Sequence, residues 1–377
     1  MDITEMKNIL ITSAGKRVVL VKIFQRTLQE NGLDAKVYTT DMRPAMAPAG
    51  IVSDGCIPVP RCTADNYIDC LLDICREKQI GVVIPTIDTE LLVLAENHQR
   101  FMDQGVRLAV SDLEFIKICR DKRLTKEFFL QAGIAVPEPV DKFHPIFPMF
   151  AKPYDGSLST NIHIIRRAED LSQDILNDPK LIFMEYIDPK EYKEFTVDMY
   201  YGLDGCVKGI VPRERIEIRA GEINKGITRK NGIVSFLYQR LGVLKGVRGC
   251  ICLQLFYRES DGDIKGIEVN PRFGGGFPLS YYAKANYAAS LKAVRPAISD
   301  NGVIELKKAR HPLLDQEKAV PISLALGEEH NALIVTGPNT GGKTVALKTV
   351  GLLTAMTMCG LLIPVSDGSR ISVFRHI

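Results

Sequence analysis

Gly249-Cys250-Ile251-Cys252-Leu253-Gln254-Leu255-Phe256 and, past an Asp261-Gly262 turn signal, Ile264-Lys265-Gly266-Ile267-Glu268-Val269 leading into Asn270-Pro271-Arg272 are the stretches that decide the fold. Both are rich in β-branched and aliphatic residues and are separated by a Gly/Asp cluster, which predicts a β-hairpin. Side chains alternate faces along a strand, so Ile251, Leu253, Leu255, Ile267 and Val269 are expected on a core face. Gln254, Glu268 and Asn270 are then expected on the opposite, polar face. An odd-numbered loop centred on Asp261 sets Gln254 opposite Glu268; a two-residue Asp-Gly turn sets it opposite Val269 and scatters the polar set. In the first register, three oxygen-bearing side chains share one surface, the hard-ligand type that suits Mg²⁺ or Mn²⁺ carrying nucleotide phosphates. Arg272 follows within reach of a phosphoryl oxygen, and Gly274-Gly275-Gly276 lets backbone approach a ligand. The competing reading is an ordinary exposed strand face.

The 377 residues suffice for two or three domains. A net charge of +3 with 25% charged residues gives no signature of nucleic acid or an anionic membrane as partner. Nine cysteines without paired metal spacing read as free thiols and fit a reducing cytoplasm. Met1-Asp2-Ile3-Thr4-Glu5 lacks signal-peptide character. The apolar stretch from Val350 to Val365 contains Gly360 and Pro364 and is short for a membrane span, so no membrane partner is expected.

Residues 1–113 alternate short apolar runs (8–12, 35–39, 81–85 and 106–110) with helical patterns, which predicts a parallel sheet with covering helices. The turn Thr12-Ser13-Ala14-Gly15-Lys16-Arg17 has one glycine and is no dinucleotide fingerprint. Ser13, Asp41, Thr86 and Asp88 lie at the carboxyl ends of predicted strands, where ligands of open α/β sheets bind. A helix over 121–132 closes on Gly133. Strand 149–152 runs into Tyr154-Asp155-Gly156-Ser157-Leu158-Ser159-Thr160-Asn161, read either as a phosphate-holding loop or as a plain hairpin connection. Strands 181–185 and 194–201 follow. The charged run with Arg213, Arg215, Arg219, Lys225, Arg229 and Lys230 among glutamates is expected to be a solvated face.

Taken in order, Lys122, Lys152, the loop from Asp155 to Asn161, Met184-Glu185-Tyr186-Ile187, Lys193-Glu194-Phe195-Thr196-Val197-Asp198, Gln254 and Glu268-Val269-Asn270-Pro271-Arg272 resemble the ATP-grasp superfamily. Within it the chain resembles the carbamoyl-phosphate synthetase large-subunit type and its stand-alone relatives, including the pyrrolysine-biosynthesis ligase, over residues 7–287. The resemblance implies an α/β architecture: a Rossmann-like domain (1–113), then an ATP-grasp α+β domain of two subdomains (114–287) gripping ATP. It implies Glu185, Tyr186 and Ile187 at the adenine hinge and Glu194 on the ribose, with Glu191 as competitor. Lys122 and Lys152 would contact phosphates beneath a lid including Asp155, Gly156 and Ser157. Gln254, Glu268 and Asn270 would hold the metal, and Arg272 with Lys152 would serve the transferring phosphoryl group. The implied substrates are a small carboxylate and an amine or ammonia, joined through an acyl phosphate; a homodimer is ordinary for such ligases.

Residues 288–377 read differently. Leu333-Ile334-Val335-Thr336 leads into Gly337-Pro338-Asn339-Thr340-Gly341-Gly342-Lys343-Thr344 and a helix, the strand-loop-helix context of a P-loop. Its glycines, Gly337 and Gly342 included, would cradle phosphates, with Lys343 on β/γ oxygens and Thr344 on Mg²⁺. With Ala309-Arg310-His311-Pro312-Leu313-Leu314, this segment resembles the start of the MutS-family ATPase domain. No acidic strand of Walker B type follows Thr344 before Ile377. A truncated P-loop α/β unit without hydrolysis of its own, and without nucleic acid as partner, is therefore the expectation.

Overall fold

The computed structural model describes residues 8–30, 33–156, 160–219, 222–285, 297–299, 302–312, 314, 319–327, 342–358, 363–366 and 369–372. The chain divides into a larger unit (7–25 with 36–287) and a smaller one (1–6, 26–35 and 288–377).

The larger unit begins with β1 (Asn8–Thr12), α1 (Val18–Glu30, of which residues 26–30 fall to the smaller unit), β2 (Val37–Asp41), α2 (Pro48–Val52), β3 (Cys56–Pro58), α3 (Tyr67–Glu77), β4 (Ile80–Pro85), α4 (Asp88–Glu96), α5 (His98–Asp103) and β5 (Arg107–Leu108). All five strands are parallel, in the order β3-β2-β1-β4-β5. Ile9, Leu10 and Ile11 are buried in succession, as a strand covered on both faces requires. The order reverses between β1 and β4, so the loops after these strands flank a crevice at the carboxyl edge. Sequence pattern misses β3, a three-residue strand containing Pro58, and overextends β5.

After α6 (Leu113–Arg120), Asp121 caps α7 (Lys122–Gln131) by accepting from the Arg123 N–H at 2.9 Å, and Gly133 takes a left-handed φ of 70° beyond it. β6 (Met149–Pro153), β7 (His163–Ile165), α8 (Gln173–Asn177) and β8 (Leu181–Glu185) follow, the strands forming an antiparallel sheet ordered β7-β6-β8. A larger antiparallel sheet comprises β9 (Lys193–Tyr201), β10 (Val207–Arg219), β11 (Glu222–Thr228), β12 (Gly249–Tyr257) and β13 (Ile264–Asn270), in the order β11-β10-β9-β12-β13. Its apolar face, with Val197, Leu253 and Val269, packs on Phe129 of α7 and Leu237 of α9 (Gly232–Leu241). α10 (Phe277–Tyr282) closes the unit.

The hairpin β12–β13 pairs Gln254 with Glu268, but not through an odd loop. Tyr257 pairs with Ile264 across an even connection, and a β-bulge at Ile267 inserts one extra residue, after which Gln254, Leu253 and Cys252 oppose Glu268, Val269 and Asn270. The expected turn is thus wrong and the expected pairing right. The bulge also changes the face assignment: Ile264, Gly266 and Val269 are buried, whereas Ile267 is only half-buried and lies outside the core cluster. Gly266 is glycine because a Cβ there would lie 2.7 Å from the Phe129 ring.

A second correction concerns the charged run, which is a solvated face only in part: Lys225, Arg229 and Lys230 are exposed, but the Arg213 and Arg215 side chains are not. It forms the hairpin β10–β11, whose exposed side carries Ile216 and Ile218, while Arg213 is wholly buried. Its guanidinium donates to Asp198 through Nε at 3.0 Å and Nη2 at 2.9 Å, and Ser280 Oγ donates to the same carboxylate at 2.6 Å.

In the smaller unit β14 (Ala297–Ser299), β15 (Ile304–Ala309), β16 (Ile322–Leu326), α11 (Lys343–Met358) and β17 (Arg370–Ser372) form a sheet ordered β14-β17-β15-β16 with one helix. Leu306, Leu353, Ile363 and Ile371 make its core. The predicted strand 333–336 and Gly337 lie outside the described residues. Among the described residues no helix is long and apolar enough to cross a membrane.

Asp198→Ala leaves the Arg213 charge buried and unpaired. The expected loss is about 3–5 kcal/mol of unfolding free energy, measured by urea titration, with a smaller loss for Ser280→Ala.

Candidate functional site

Lys152 of β6 and Lys122, the first residue of α7, bring two ammonium groups to one site. Lys152 is nearly fully buried, and that burial pushes its pKa down to about 8; the Glu268 carboxylate opposes the shift and the Lys122 charge adds to it. Lys122 is also lowered, chiefly by burial, again opposed by Glu268. Its ammonium donates to the Gly156 carbonyl, and its backbone N–H donates to the Tyr154 carbonyl at 2.9 Å, so α7 is tied to the end of β6.

Glu194 of β9 faces the same centre. Burial raises its pKa, and the Glu268 carboxylate adds to that rise; the Arg215 guanidinium, 2.9 Å from Glu194 Oε1, resists it. Gln254 donates its amide nitrogen to Glu194. Because an ionised carboxylate only accepts, this contact fixes the amide's orientation and leaves its oxygen for another partner. Glu191 is exposed and pairs with Arg258 at 3.6 Å, away from this cluster.

Glu268 accepts from Asn270 Nδ2 at 3.1 Å. Among the described residues no three His, Cys, Asp or Glu side chains form a metal cage. Gln254, Glu268 and Asn270 supply one carboxylate and two amides, too few charges to hold a divalent ion unaided. The set does fit Mg²⁺, which takes one or two carboxylates and completes its shell with phosphate oxygens and water.

Glu185, at the end of β8, accepts from the Glu138 N–H at 2.9 Å and from Lys265, so its side chain fastens the small sheet to β13. Tyr186 and Ile187 follow, half-buried. Asp155 pairs with Lys180 at 2.7 Å. Ser157 lies outside the described residues.

Arg272 is held by the first residue of α4. Its Nε and Nη2 donate to Asp88 Oδ2 at 3.0 and 2.5 Å, and Nη1 donates to the Phe273 carbonyl at 3.3 Å. Burial works against its charge, yet the Asp88 carboxylate outweighs it and raises the pKa above the ordinary arginine value. In the glycine run after Arg272, a Cβ on Gly275 would overlap the Arg17 guanidinium and one on Gly276 that of Arg213. Arg213, Arg215, Lys265 and the Asp88–Arg272 pairing were not read from sequence. The spacing of Arg213 and Arg215, with Ile216 and Ile218 on intervening faces, was the available signal. In the smaller unit, Gly342 has φ 78° immediately before α11, which starts at Lys343 and Thr344.

Since the Lys152 value lies below the roughly 10.4 of an unfolded lysine, keeping this group charged costs stability below pH 8, and the cost fades as pH rises towards 10. A titration of ¹³C-methylated lysines by NMR should show one midpoint near 8 that is absent in Lys152→Arg. Glu268→Gln should move that midpoint lower, because a carboxylate that favours the charged amine is gone. A Lys152 midpoint near that of the surface lysines would refute the assignment.

Residues 9–109 match the family described as PylC-like, N-terminal domain, and residues 177–308 the family described as ATP-grasp in the biosynthetic pathway with Ter operon. Among solved structures, the N5-carboxyaminoimidazole ribonucleotide synthetase purK in its ADP complex is 16% identical with a TM-score of 0.57, covering 78% of each chain. The L-amino acid ligase from Bacillus licheniformis is 18% identical with a TM-score of 0.54, over 74% of this chain and 71% of that one. The biotin carboxylase domain of the Hydrogenobacter thermophilus 2-oxoglutarate carboxylase, in complex with MgADP, is 15% identical with a TM-score of 0.56, over 75% and 69%. At these identities the likeness establishes the fold. Endonuclease MutS2 of Finegoldia magna is 54% identical over 96 residues, and that of Geobacillus kaustophilus 55% over 96, in each case 26% of this chain and 12% of the relative. The chain thus spans 12% of the length of these curated relatives. It is a protein of ATP-grasp fold, similar over residues 9–109 to the PylC-like N-terminal domain and over 177–308 to an ATP-grasp family, and it carries in addition a segment similar to MutS2.

Proposed function

We propose that the chain is an ATP- and Mg²⁺-dependent ligase that joins a small carboxylate to an amine or ammonia through an acyl phosphate. The observation that carries this reading is the convergence of Lys152 and Lys122 with Glu194, Gln254 and Glu268, from both antiparallel sheets, on one half-buried centre. A buried and a half-buried lysine, both of lowered pKa, beside the two half-buried carboxylates Glu194 and Glu268 make a site that can take an anionic ligand carrying its own divalent ion, the lysines meeting the anion and a carboxylate the metal. The ligases of similar fold, one of them solved with MgADP, support the same reading.

In this proposal Lys122 and Lys152 neutralise phosphate oxygens, and Glu194 binds the ribose hydroxyls. Glu185, Tyr186 and Ile187 line the adenine, and Asp155, Gly156 and Ser157 belong to the covering lid. Gln254, Glu268 and Asn270 hold Mg²⁺, which when bound neutralises phosphate charge. A carboxylate oxygen of the substrate attacks the γ-phosphorus, the bond to the β–γ bridging oxygen breaks, and ADP leaves. Arg272 and Lys152 stabilise the charge spread over the transferring group, where positioning and electrostatics supply most of the catalysis. The amine then attacks the acyl carbon, loses a proton to solvent, and expels inorganic phosphate. Residues 1–113, 114–287 and 288–377 are the proposed domains.

A second reading, a nucleotide-binding module associated with DNA, draws on the MutS2 identity and on Gly342, Lys343 and Thr344 at the head of α11. ADP release stimulated by a panel of carboxylates with ammonium distinguishes the two. Glu268→Ala should lower it by about two orders of magnitude, Lys343→Ala should leave it unchanged, and hydroxylamine should trap a hydroxamate. Turnover abolished only by Lys343→Ala would overturn the ligase proposal.

A further inference from the structure

We infer that Asp88 is a positioning residue for phosphoryl transfer: supplied by the start of α4, it fixes the Arg272 guanidinium where the transferring group arrives. The inference rests on the ligase reading and extends it to a residue outside the ATP-grasp elements.

Arg272 stands between two carboxylates. Asp88 takes both Nε and Nη2 on one oxygen, while the charge of Glu268 also acts on the guanidinium and Asn270 Oδ1 lies 3.5 Å from Nη2. Without the Asp88 charge, the guanidinium is drawn to Glu268, the one carboxylate of the proposed metal set. Such a shift misplaces the arginine and neutralises the metal ligand together. Asp88 prevents it because its own position is fixed. It is the first residue of α4, and Glu90 two residues further on is fully buried and accepts from the Thr86 N–H at 3.0 Å, Ser13 Oγ at 3.0 Å and Tyr67 Oη at 2.8 Å. These bonds tie the loops after β1 and β4 to the start of α4. A rigid support of this kind is what holds a reacting side chain to the tolerance that catalysis needs.

The test uses the full chain and compares binding of Mg·ADP with binding of Mg·ADP plus aluminium fluoride, a mimic of the transferring phosphoryl group, by calorimetry. The wild type should bind the fluoroaluminate complex more tightly. Asp88→Asn should keep Mg·ADP affinity within about twofold yet lose the fluoroaluminate gain by about tenfold or more, and Asp88→Glu should restore part of it. In an Arg272→Ala background Asp88→Asn should have no further effect, because one interaction is already gone. A merely structural role would instead lower Mg·ADP affinity and melting temperature and would add to Arg272→Ala. That result, or an undiminished gain in Asp88→Asn, would overturn the inference. A wild type that binds Mg·ADP without any gain would overturn it while sparing the nucleotide site, and a wild type that binds no Mg·ADP would overturn the ligase reading as well.

Discussion

The buried Asp198–Arg213 pair is the interaction on which the larger antiparallel sheet and its polar face depend. Two charges away from water are tolerable only when each satisfies the other, and here two nitrogens meet two carboxylate oxygens while Ser280 supplies a further donor. The pair links β9, β10 and α10, and the guanidinium also reaches Cys252 Sγ of β12 at 3.6 Å. Along β9 the same face carries Glu194, paired with Arg215 of β10. Two ion-pair rungs thus run along one edge of the central strand, one structural and wholly enclosed, the other opening on the candidate nucleotide centre.

That centre is arranged by competing charges. Burial disfavours the charged forms of Lys152, Lys122 and Glu194; Glu268 limits the penalty for the two lysines, and the Arg215 guanidinium and the Gln254 amide limit it for Glu194. A site of this kind is held together by groups that water would otherwise solvate better. An anion bringing a divalent cation would restore to the lysines and carboxylates the partners that folding removed. The same logic suits the proposed metal-ligand set, which would be incomplete without phosphate: a full acidic cage would hold the ion regardless of nucleotide.

Much of this was legible in sequence because it is local. Runs such as Asn8 to Thr12, Met149 to Lys152 and Leu181 to Glu185 declare strands by composition, and Asp121 with Gly133 brackets α7. The ordered motif ending in Glu268, Asn270 and Arg272 carried the family resemblance, and the fold followed from it. The bulge at Ile267 was not legible, since one extra residue inverts facing without changing composition; only Gly266, forced by the Phe129 ring, hinted at a close approach. Arg213 was misread because its partner lies on another strand, and charge alone cannot distinguish a solvated side chain from a paired, enclosed one. Asp88 was placed at a strand end by position, yet its pairing with a residue 184 positions away has no local signature.

The glycine run beyond Arg272 has a consequence for how this sequence can drift. Guanidinium tips from Arg17 and Arg213 occupy the space that side chains on Gly275 and Gly276 would need. At Gly275 the obstacle is the tip of the long Arg17 side chain, which a modest shift can clear, whereas at Gly276 it is the Arg213 guanidinium held by Asp198. A side chain at Gly276 would therefore have to break the buried Arg213–Asp198 pair, so substitution there is expected to cost far more than at Gly275. The loop following Arg272 is constrained in this way by volume rather than by chemistry, in a part of the chain where a loop would ordinarily be free to vary.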